Sequence, residues 1–318
     1  MEKQTVLITG GTGFAGSHLV ESLLLENTPK SIHVTSFGGK PGFVASLLPA
    51  TNIHKLDLTN YEETKTLLSK IQPTHIFHLA ASASVVSSFE QARATMQNNL
   101  DLQLSLLDAV KDVCPDARIL NIGSALEYDF TKSRVFAESA ELGPVSPYAF
   151  SKVMQDMLAV MYQRSHKLHI IRTRPFNHFG ERQTPGFVVA DFAKKIVEIE
   201  KDPTREKLIT VGNLEAVRDF CDVKDMVEAY KLLMDKGAEG EVYNIGSGVG
   251  TSIKQILDEL ISLTSLNIQV EIDPEKFRPL DVPTVIADNE KIKNLGWSPS
   301  RHLSETLLRT LNWWRNNS

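Results

Sequence analysis

The sequence has 318 residues, enough for a large hydrophobic core and two subdomains. Hydrophobic residues make up 42% of it and charged residues 23%, as in an ordinary globular protein, and its net charge of −5 argues against nucleic acid as the main partner. It contains two cysteines in unrelated contexts and no apolar run near the ~20 residues of a membrane span, so we expect no disulfide framework, metal site or membrane span, and a cytoplasmic location.

Short apolar strands alternate with helical segments through the first half of the chain. Strands are predicted over residues 5–9, 32–36, 75–79, 119–122 and 169–173, and helices over 17–25, 61–70, 98–113 and 148–165. The first strand begins so early that we expect no signal peptide. The alternation predicts an α/β fold with a doubly wound parallel sheet of the Rossmann type, formed by residues 1–175.

The pattern weakens after Pro175. Helices are predicted over residues 186–200, 223–233, 252–263 and 303–315, and strands over 207–212 and 241–245. We expect residues 219–248 to return to the first domain and add a strand to its sheet. Residues 176–218 and 249–318 are then expected to form a smaller, mixed substrate domain.

Three glycines follow the first predicted strand and lead into the first predicted helix. Gly10, Gly13 and Gly16 are spaced three residues apart. In this setting glycines let the backbone approach a pyrophosphate at the positive N-terminus of a helix. A glycine-rich turn without a ligand is the alternative, but the flanking strand and helix favour dinucleotide binding.

A tyrosine and a lysine lie four residues apart on one predicted helix. Tyr148 and Lys152 therefore share a helical face. We expect the ammonium and an oxidised nicotinamide to lower the pKa of the phenol, so that it acts as a general acid or base. Ser124 follows a predicted strand, at the sheet edge where ligands collect, and its hydroxyl is suited to bind a substrate oxygen. A chance Tyr–Lys spacing and a simple turn serine are the alternatives.

Together these motifs resemble the extended short-chain dehydrogenase/reductase family, in the branch that acts on nucleotide sugars. The resemblance covers nearly the whole chain. The segments that carry it, in order, are residues 9–16, 57–58, 78–81, Asn99, Ser124 with Tyr148 and Lys152, residues 174–180, 218–220 and 277–279.

The resemblance implies a role for each matched position. It implies catalysis by Ser124, Tyr148 and Lys152 and a homodimer formed through two helices of each chain. The implied cofactor residues, besides Tyr148 and Lys152, are Gly10, Thr12, Gly13, Phe14, Ala15, Gly16, Ser36, Asp57, Leu58, Leu79, Ala80, Ala81, Asn99, Pro175 and His178. The implied substrate residues are Ser82, Glu127, Asn177, Val188, Arg218 and Arg278, the two arginines being suited to the phosphates of a sugar nucleotide.

The residues after Ser124 bear on the reaction. The 4,6-dehydratases that this chain resembles carry a carboxylate one or two positions past the catalytic Ser or Thr, where this chain has Ala125 and Leu126. Residues 211–220 and 278–283 instead look like GDP-4-keto-6-deoxymannose reductases, so we expect reduction of a GDP-4-keto-6-deoxy-hexose to GDP-rhamnose. The alternatives are a 4-epimerase with tightly bound NAD, a GDP-mannose 4,6-dehydratase that uses Glu127, and a catalytically silent nucleotide sensor.

The end of the second predicted strand bears on the cofactor. NAD is usually held by an acidic residue about 20 positions past the glycine loop, and no such residue occurs between Ser31 and Lys40. Ser36 and Lys40 are suited instead to a 2′-phosphate. The sequence therefore favours NADP, with NAD as the alternative.

Overall fold

The computed structural model describes residues 4–28, 30–277 and 282–318. The strands in these ranges are β1 (Gln4–Thr9), β2 (Lys30–Ser36), β3 (Ile53–Lys55), β4 (His75–His78), β5 (Arg118–Ile122), β6 (Val135–Phe136), β7 (His169–Pro175), β8 (Asn177–Phe179), β9 (Leu208–Val211), β10 (Val217–Asp222), β11 (Val242–Ile245), β12 (Gly250–Ser252), β13 (Gln269–Ile272) and β14 (Thr284–Ala287). The helices are α1 (Phe14–Leu24), α2 (Tyr61–Ile71), α3 (Val85–Glu90), α4 (Ala92–Val113), α5 (Pro147–His166), α6 (Val188–Lys201), α7 (Val223–Lys236), α8 (Ile253–Ser262), α9 (Glu290–Lys293) and α10 (Leu303–Asn317). None of these helices is long and apolar enough to span a bilayer.

Seven parallel strands form the large sheet, in the order β11-β7-β5-β4-β1-β2-β3. The chain leaves β1 toward β2 and β3, and then returns to place β4 on the other side of β1. The strand order thus reverses between β1 and β4, and ligands of open α/β sheets bind beyond the carboxyl ends of the strands at such a point. The predicted doubly wound sheet is confirmed.

The large sheet is buried on both faces. Val6 and Ile8 of β1 pack in the core beneath α1 and α7, whereas Leu7 between them packs in the core beneath α2, α4 and α5. Alternating strand residues point to opposite faces, so a strand covered on both faces is apolar throughout. This explains why the strands of this sheet were visible as short apolar runs.

A smaller sheet is built mainly from the second half of the chain. Its order is β12-β10-β14-β6, with β8 also pairing with β10, and β12 is the antiparallel strand next to β10. A separate parallel pair joins β9 to β13. Helices α6, α8 and α10 enclose a second apolar core beside these strands.

The predicted returning segment divides between the two sheets. Its strand, β11, pairs with β7 and extends the large sheet, and α7 packs beside α1. Its first residues, from Asp219, belong to β10 of the smaller sheet. Several strands of two to six residues were missed because each is too short, or too polar, to show a hydrophobic period.

Asp219 ties the two sheets together. Its buried carboxylate accepts hydrogen bonds from the backbone N–H groups of Ser247, Gly248 and Ala287 at 2.7, 2.9 and 3.1 Å, and from the Ser247 hydroxyl at 2.6 Å. Ser247 and Gly248 follow β11 of the large sheet, whereas Ala287 ends β14 of the smaller one. The Asp219 carboxylate therefore bonds to both sides of the junction.

We predict that Asp219→Ala lowers the free energy of unfolding by at least about 2 kcal/mol, because each buried donor left without an acceptor costs about 1–3 kcal/mol. Urea denaturation measures the loss. The control is Asp258→Ala, which removes a carboxylate whose side chain is 57% exposed, and its effect should stay within about 0.5 kcal/mol. Equal stability of the two variants would contradict the prediction.

Candidate active site

A narrow glycine turn joins β1 to α1 at the point where the strand order reverses. Gly10 has a φ of +66°, a backbone conformation that other residues rarely adopt. A Cβ atom on Gly16 would lie 2.5 Å from the carbonyl oxygen of Gly10, and one on Gly10 would lie 3.1 Å from the backbone of Ala80. The glycines therefore hold the turn against the end of β4.

The N-terminus of α1 has the chemistry of a phosphate site. Helix α1 begins at Phe14 with Gly13 as its N-cap, and no side chain among the described residues caps it. Its first N–H groups, including that of Ala15, can therefore bind an anion at the positive end of the helix. This turn, with Thr12, fits the pyrophosphate of a dinucleotide.

The other predicted cofactor residues lie along the same edge of the sheet. Ser36 ends β2 and is buried, and its hydroxyl donates to the carbonyl of Lys40 at 3.1 Å. The N–H of Ala80 donates to the Thr9 hydroxyl at 3.2 Å, which joins the ends of β4 and β1. The loops after β3 and β4 carry the rest of this group: Asp57, Leu58, Leu79 and Ala81.

Asn99 differs from its predicted role as a cofactor contact. It is fully buried in α4, and its amide nitrogen donates to the Ser151 hydroxyl at 2.8 Å and to the Ser82 carbonyl at 3.3 Å. Its amide oxygen accepts from the Ser82 N–H at 2.8 Å. The side chain is thus engaged within the protein, where it joins the loop after β4 to helix α5.

The segment from β7 to β8 carries the chain from the large sheet to the smaller one. Pro175 ends β7, and His178 lies in β8 with its ring stacked on that of Phe14 at a centroid distance of 5.8 Å. The Nδ1 atom of His178 lies 3.1 Å from the carbonyl oxygen of Phe176. The predicted residues His178 and Phe14 therefore meet, although they are far apart in sequence.

Ser124, Tyr148 and Lys152 converge beyond the carboxyl end of β5. Helix α5 packs against the 3₁₀ turn of residues 125–127, for which Ser124 is the N-cap. The hydroxyls of Ser124 and Tyr148 are hydrogen-bonded to each other. The ammonium of Lys152, which is buried, donates to the carbonyl of Ile122 at 2.8 Å.

In the protein alone, burial opposes the predicted lowering of the Tyr148 pKa. Burial raises the pKa of Tyr148 to about 12, and the hydrogen bond from Ser124 opposes this only in part. Burial also lowers the pKa of Lys152 to about 8, with the Glu127 carboxylate opposing that shift. The prediction counted the attraction of the ammonium and of an oxidised nicotinamide for a phenolate, and the desolvation of both side chains opposes that attraction.

Comparison with known proteins identifies the family. Residues 7–310 match the family model described as GDP-mannose 4,6 dehydratase. The chain belongs to this family. It is therefore an enzyme of the extended short-chain dehydrogenase/reductase type, which uses NAD(P) and modifies a nucleotide sugar, as the sequence motifs predicted.

Members with different reactions are similar to this chain. The GDP-6-deoxy-D-mannose reductase of Pseudomonas aeruginosa is 28% identical over 98% of this chain and 97% of its own length. The structure of RMD from Pseudomonas aeruginosa complexed with NADPH superposes with a TM-score of 0.87 at 27% identity, covering 99% of this chain and 100% of that one. The UDP-glucose 4-epimerase of Thermotoga maritima with UDP-glucose gives 0.88 at 29% identity, covering 98% and 99%. The fold of the family therefore does not by itself decide the reaction.

Glu127 was predicted to contact substrate, and in the structure its carboxylate is engaged within the protein. Its side chain is fully buried. One carboxylate oxygen accepts the backbone N–H of Ser124 at 2.7 Å and the other accepts Nε of Arg174 at 2.8 Å. Glu127 therefore lies beneath Ser124 within the protein and not on the surface that a substrate would meet.

The remaining predicted substrate residues lie in several places. Ser82 and Asn177 are exposed, and Val188 opens helix α6 in a half-buried position. Arg218 lies on β10 and donates to two backbone carbonyls, each at 2.8 Å. Arg278 lies outside the described residues. Two of the four described positions are thus clearly open to a ligand.

Arg182 is a candidate cofactor residue that sequence reasoning missed. Its guanidinium carbon lies 3.8 Å from the centre of the Phe43 ring, and it donates to the Ser17 hydroxyl at 3.3 Å. It lines a cavity of about 380 Å³ together with Thr12 and Gly13. A cation beside the phosphate-binding turn suits the charge of a pyrophosphate. The sequence carried no signal for it, because Arg182 follows Gly13 by more than 160 residues.

We predict that Gly16→Ala weakens cofactor binding at least tenfold, a loss of about 1.4 kcal/mol, because its Cβ would clash with the backbone of Gly10 and Gly11 and distort the turn. Titration of NADPH, followed by its fluorescence, measures the change. Gly38→Ala is the matched control, since a Cβ there meets no atom within 4 Å. If both variants bind NADPH as the wild type does, the turn is not the phosphate site.

Proposed function

We propose that this enzyme reduces the 4-keto group of a GDP-4-keto-6-deoxy-hexose with NADPH and so forms GDP-rhamnose. The observation that carries the proposal is the position of Glu127, whose two carboxylate oxygens are bonded to Ser124 and Arg174. Ala125 and Leu126 have no ionisable group, so the acid/base that a 4,6-dehydratase needs after its catalytic hydroxyl residue is missing. The similarity to a GDP-6-deoxy-D-mannose reductase over 98% of the chain supports the same conclusion.

The protonation states of the three catalytic candidates suit a reduction. Because burial keeps the pKa of Tyr148 near 12, its hydroxyl holds a proton at neutral pH and can donate it to the substrate oxygen. Ser124, hydrogen-bonded to Tyr148, would align that oxygen. Lys152 would hold the ribose of the cofactor and keep positive charge near the phenol. When bound, the nicotinamide supplies the hydride that completes the reduction of the carbonyl carbon.

NADPH is the proposed reductant because no carboxylate ends β2. Ser36 is the last residue of that strand, and the exposed Lys40 lies four positions later. A 2′-phosphate would gain a cation from Lys40 and would meet no repelling acid. The NADPH-bound RMD structure supports this assignment.

The alternative is a 4-epimerase with tightly bound NAD. It is favoured by the similarity to UDP-glucose 4-epimerase, which matches the reductase in TM-score. An epimerase oxidises and then reduces its substrate, so its cofactor returns to the starting state. The two functions therefore differ in whether NADPH is consumed.

We further propose a homodimer formed through α4 and α5. Helix α5 carries an exposed apolar stripe at helical spacing, in which Phe150, Met157 and Met161 are each about half exposed. Met96 and Leu100 form a partly exposed row on the neighbouring helix α4. Such faces suit the pairing of two helices from each chain. The two cysteines are free and buried, which supports a reducing, cytoplasmic location.

The substrate-domain assignment remains part of this proposal. Residues 176–218 and 249–318 would bind the sugar nucleotide, with Asn177, Ser82 and Arg218 as the candidate contacts among the described residues. Residues 1–175 would bind the cofactor.

Stoichiometry tests the reaction. With a GDP-4-keto-6-deoxy-mannose substrate and NADPH, the purified protein should consume both in a one-to-one ratio, measured by absorbance at the NADPH band and by product chromatography. With GDP-mannose and NADP⁺ it should release no 4-keto-6-deoxy product. Substrate turnover without net NADPH oxidation would identify the epimerase, and dehydration of GDP-mannose would overturn the reductase proposal.

Tyr148→Phe tests the proton donor. It removes one hydroxyl while leaving the ring and the glycine turn in place, so turnover should fall at least ~10²-fold, the usual contribution of general acid catalysis. NADPH affinity should stay within about threefold, because the glycine turn is unchanged. A threefold change corresponds to less than the 1.4 kcal/mol that a tenfold change requires. Tyr162→Phe, on the same helix with its hydroxyl bonded to Asp108, is the control. Near-normal turnover of Tyr148→Phe would refute its catalytic role.

A further inference from the structure

A cluster of four charged side chains lies buried beneath Ser124. It contains Glu127 from the turn after β5, Asp156 from α5, and Arg172 and Arg174 from β7. The side chains of Glu127, Asp156 and Arg174 are at most 5% exposed. Burying ionised groups is costly unless each is paired, so such a cluster persists only where its geometry is well defined. We call these four residues the buried ion cluster.

Arg174 is the centre of the buried ion cluster. Its Nε donates to Glu127 at 2.8 Å and its Nη2 donates to Asp156 at 2.9 Å. Its Nη1 donates to the Tyr128 hydroxyl and to the carbonyl of Glu138, each at 3.2 Å. Every nitrogen of the guanidinium therefore has a partner, and one cation joins two carboxylates.

The two carboxylates have different second partners. The Oδ2 atom of Asp156, which accepts Nη2 of Arg174, also accepts Nη1 of Arg172 at 2.9 Å, so Asp156 is bound by two cations. The free oxygen of Glu127 instead accepts the backbone N–H of Ser124 at 2.7 Å. Among the four residues of the buried ion cluster, Glu127 is thus the one that bonds to Ser124.

The bond between Glu127 and Ser124 is one half of a reciprocal cap. Ser124 Oγ accepts the N–H of Leu126 at 3.2 Å, while the Glu127 side chain returns to the N–H of Ser124. The carboxylate of Glu127 is closely packed against Gly123. A Cβ atom on Gly123 would lie 2.4 Å from this carboxylate and 2.6 Å from the carbonyl oxygen of Thr173. Glu127 therefore fixes the backbone of Ser124, and the N–H of Leu126 fixes the hydroxyl that Ser124 presents to Tyr148.

Glu127 also acts on the neighbouring α5 through its charge. Its carboxylate raises the pKa of both Tyr148 and Lys152. Arg174 and Asp156 are the charged groups that face Glu127. Arg174 favours the ionised form of Glu127, whereas burial and the Asp156 carboxylate together raise the pKa of Glu127 to about 7. Removing the Glu127 charge would make both Tyr148 and Lys152 lose their protons at lower pH.

We propose that Glu127 is a positioning residue for the catalytic step, fixing Ser124 from below and supplying negative charge beside Tyr148 and Lys152. It touches neither substrate nor cofactor. The inference rests on the proposed function, because it assumes that Ser124 and Tyr148 carry the chemistry. In this role Glu127 positions Ser124, whereas a 4,6-dehydratase uses a carboxylate to transfer a proton.

The test compares Glu127→Gln with Asp156→Asn. Both remove one buried carboxylate from Arg174 at nearly constant volume, but Asp156 has no bond to Ser124. For Glu127→Gln we expect kcat to fall about tenfold or more, equivalent to 1.4 kcal/mol of transition-state energy, with the KM values for sugar nucleotide and NADPH within about twofold. The alkaline limb of kcat that loss of the Lys152 proton produces should move about one pH unit lower than in the wild type, because the Glu127 carboxylate raises the pKa of Lys152. Asp156→Asn should keep the wild-type alkaline limb, and its loss of kcat should be smaller than that of Glu127→Gln, because Asp156 has no bond to Ser124.

Glu127→Asp separates position from charge and serves if Glu127→Gln does not fold. The shorter side chain keeps the charge near Arg174 but withdraws from the Ser124 N–H, so kcat should fall while the alkaline limb stays in place. Thermal unfolding of each variant accompanies the kinetics. Wild-type kcat and pH profile in Glu127→Gln, or equal losses in Glu127→Gln and Asp156→Asn, would overturn the inference. If Tyr148→Phe remains active, the proposed function fails. If Tyr148→Phe is inactive but Glu127→Gln has normal kinetics, only the inference about Glu127 fails.

Discussion

The position of the active site depends on the guanidinium of Arg174. It is buried, and it holds together the turn after β5, helix α5 and strand β7 by pairing with Glu127 and Asp156. In a low-dielectric interior, removing one partner of such a pair leaves a charge with no compensation, which costs several kcal/mol. The three elements therefore keep one relative arrangement. That arrangement brings Ser124 to Tyr148.

The reversal of strand order between β1 and β4 lies between the glycine turn and the strands that lead into the smaller sheet. On one side, the glycine turn offers backbone N–H groups and the positive end of α1 to a dinucleotide. On the other, β7 continues into β8 and carries the chain from the large sheet into the smaller one. The catalytic candidates lie at the edge where these halves meet. A cofactor and a substrate bound on opposite sides would then share one set of proton-donating groups.

Proteins similar to this chain include more than one activity, so the residues beside Ser124 bear on the reaction. Eliminating water needs a further acid or base, whereas reducing a ketone needs a proton and a hydride. Ala125 and Leu126 supply neither acid nor base, and the buried Glu127 supports the position of Ser124 instead.

The sequence predicted the structure best where a single local constraint, such as burial or backbone geometry, determined the residue type. Strands buried on both faces appeared as apolar runs, and the glycine turn was visible because Gly10 and Gly16 are required by backbone geometry. Strands β6, β8 and β12 were missed, because two or three residues cannot show a period and pairing with distant strands stabilises them. Strand β10, which contains the charged Arg218 and Asp219, was missed because the buried charge of Asp219 is satisfied by donors some 30 and 70 residues away.

The sequence by itself determined the Rossmann sheet, the family and the candidate catalytic residues, because these follow from short-range periodicity and from motifs that the family repeats. Only the tertiary structure decided the protonation and the roles of the side chains around them. Burial opposes the expected pKa shift of Tyr148, and the amide of Asn99 proved to be engaged within the protein. Glu127 turned away from the substrate side to pair with Arg174, a residue 47 positions later in the chain. Desolvation and long-range pairing depend on which distant segments pack together, and a local sequence pattern does not contain that information.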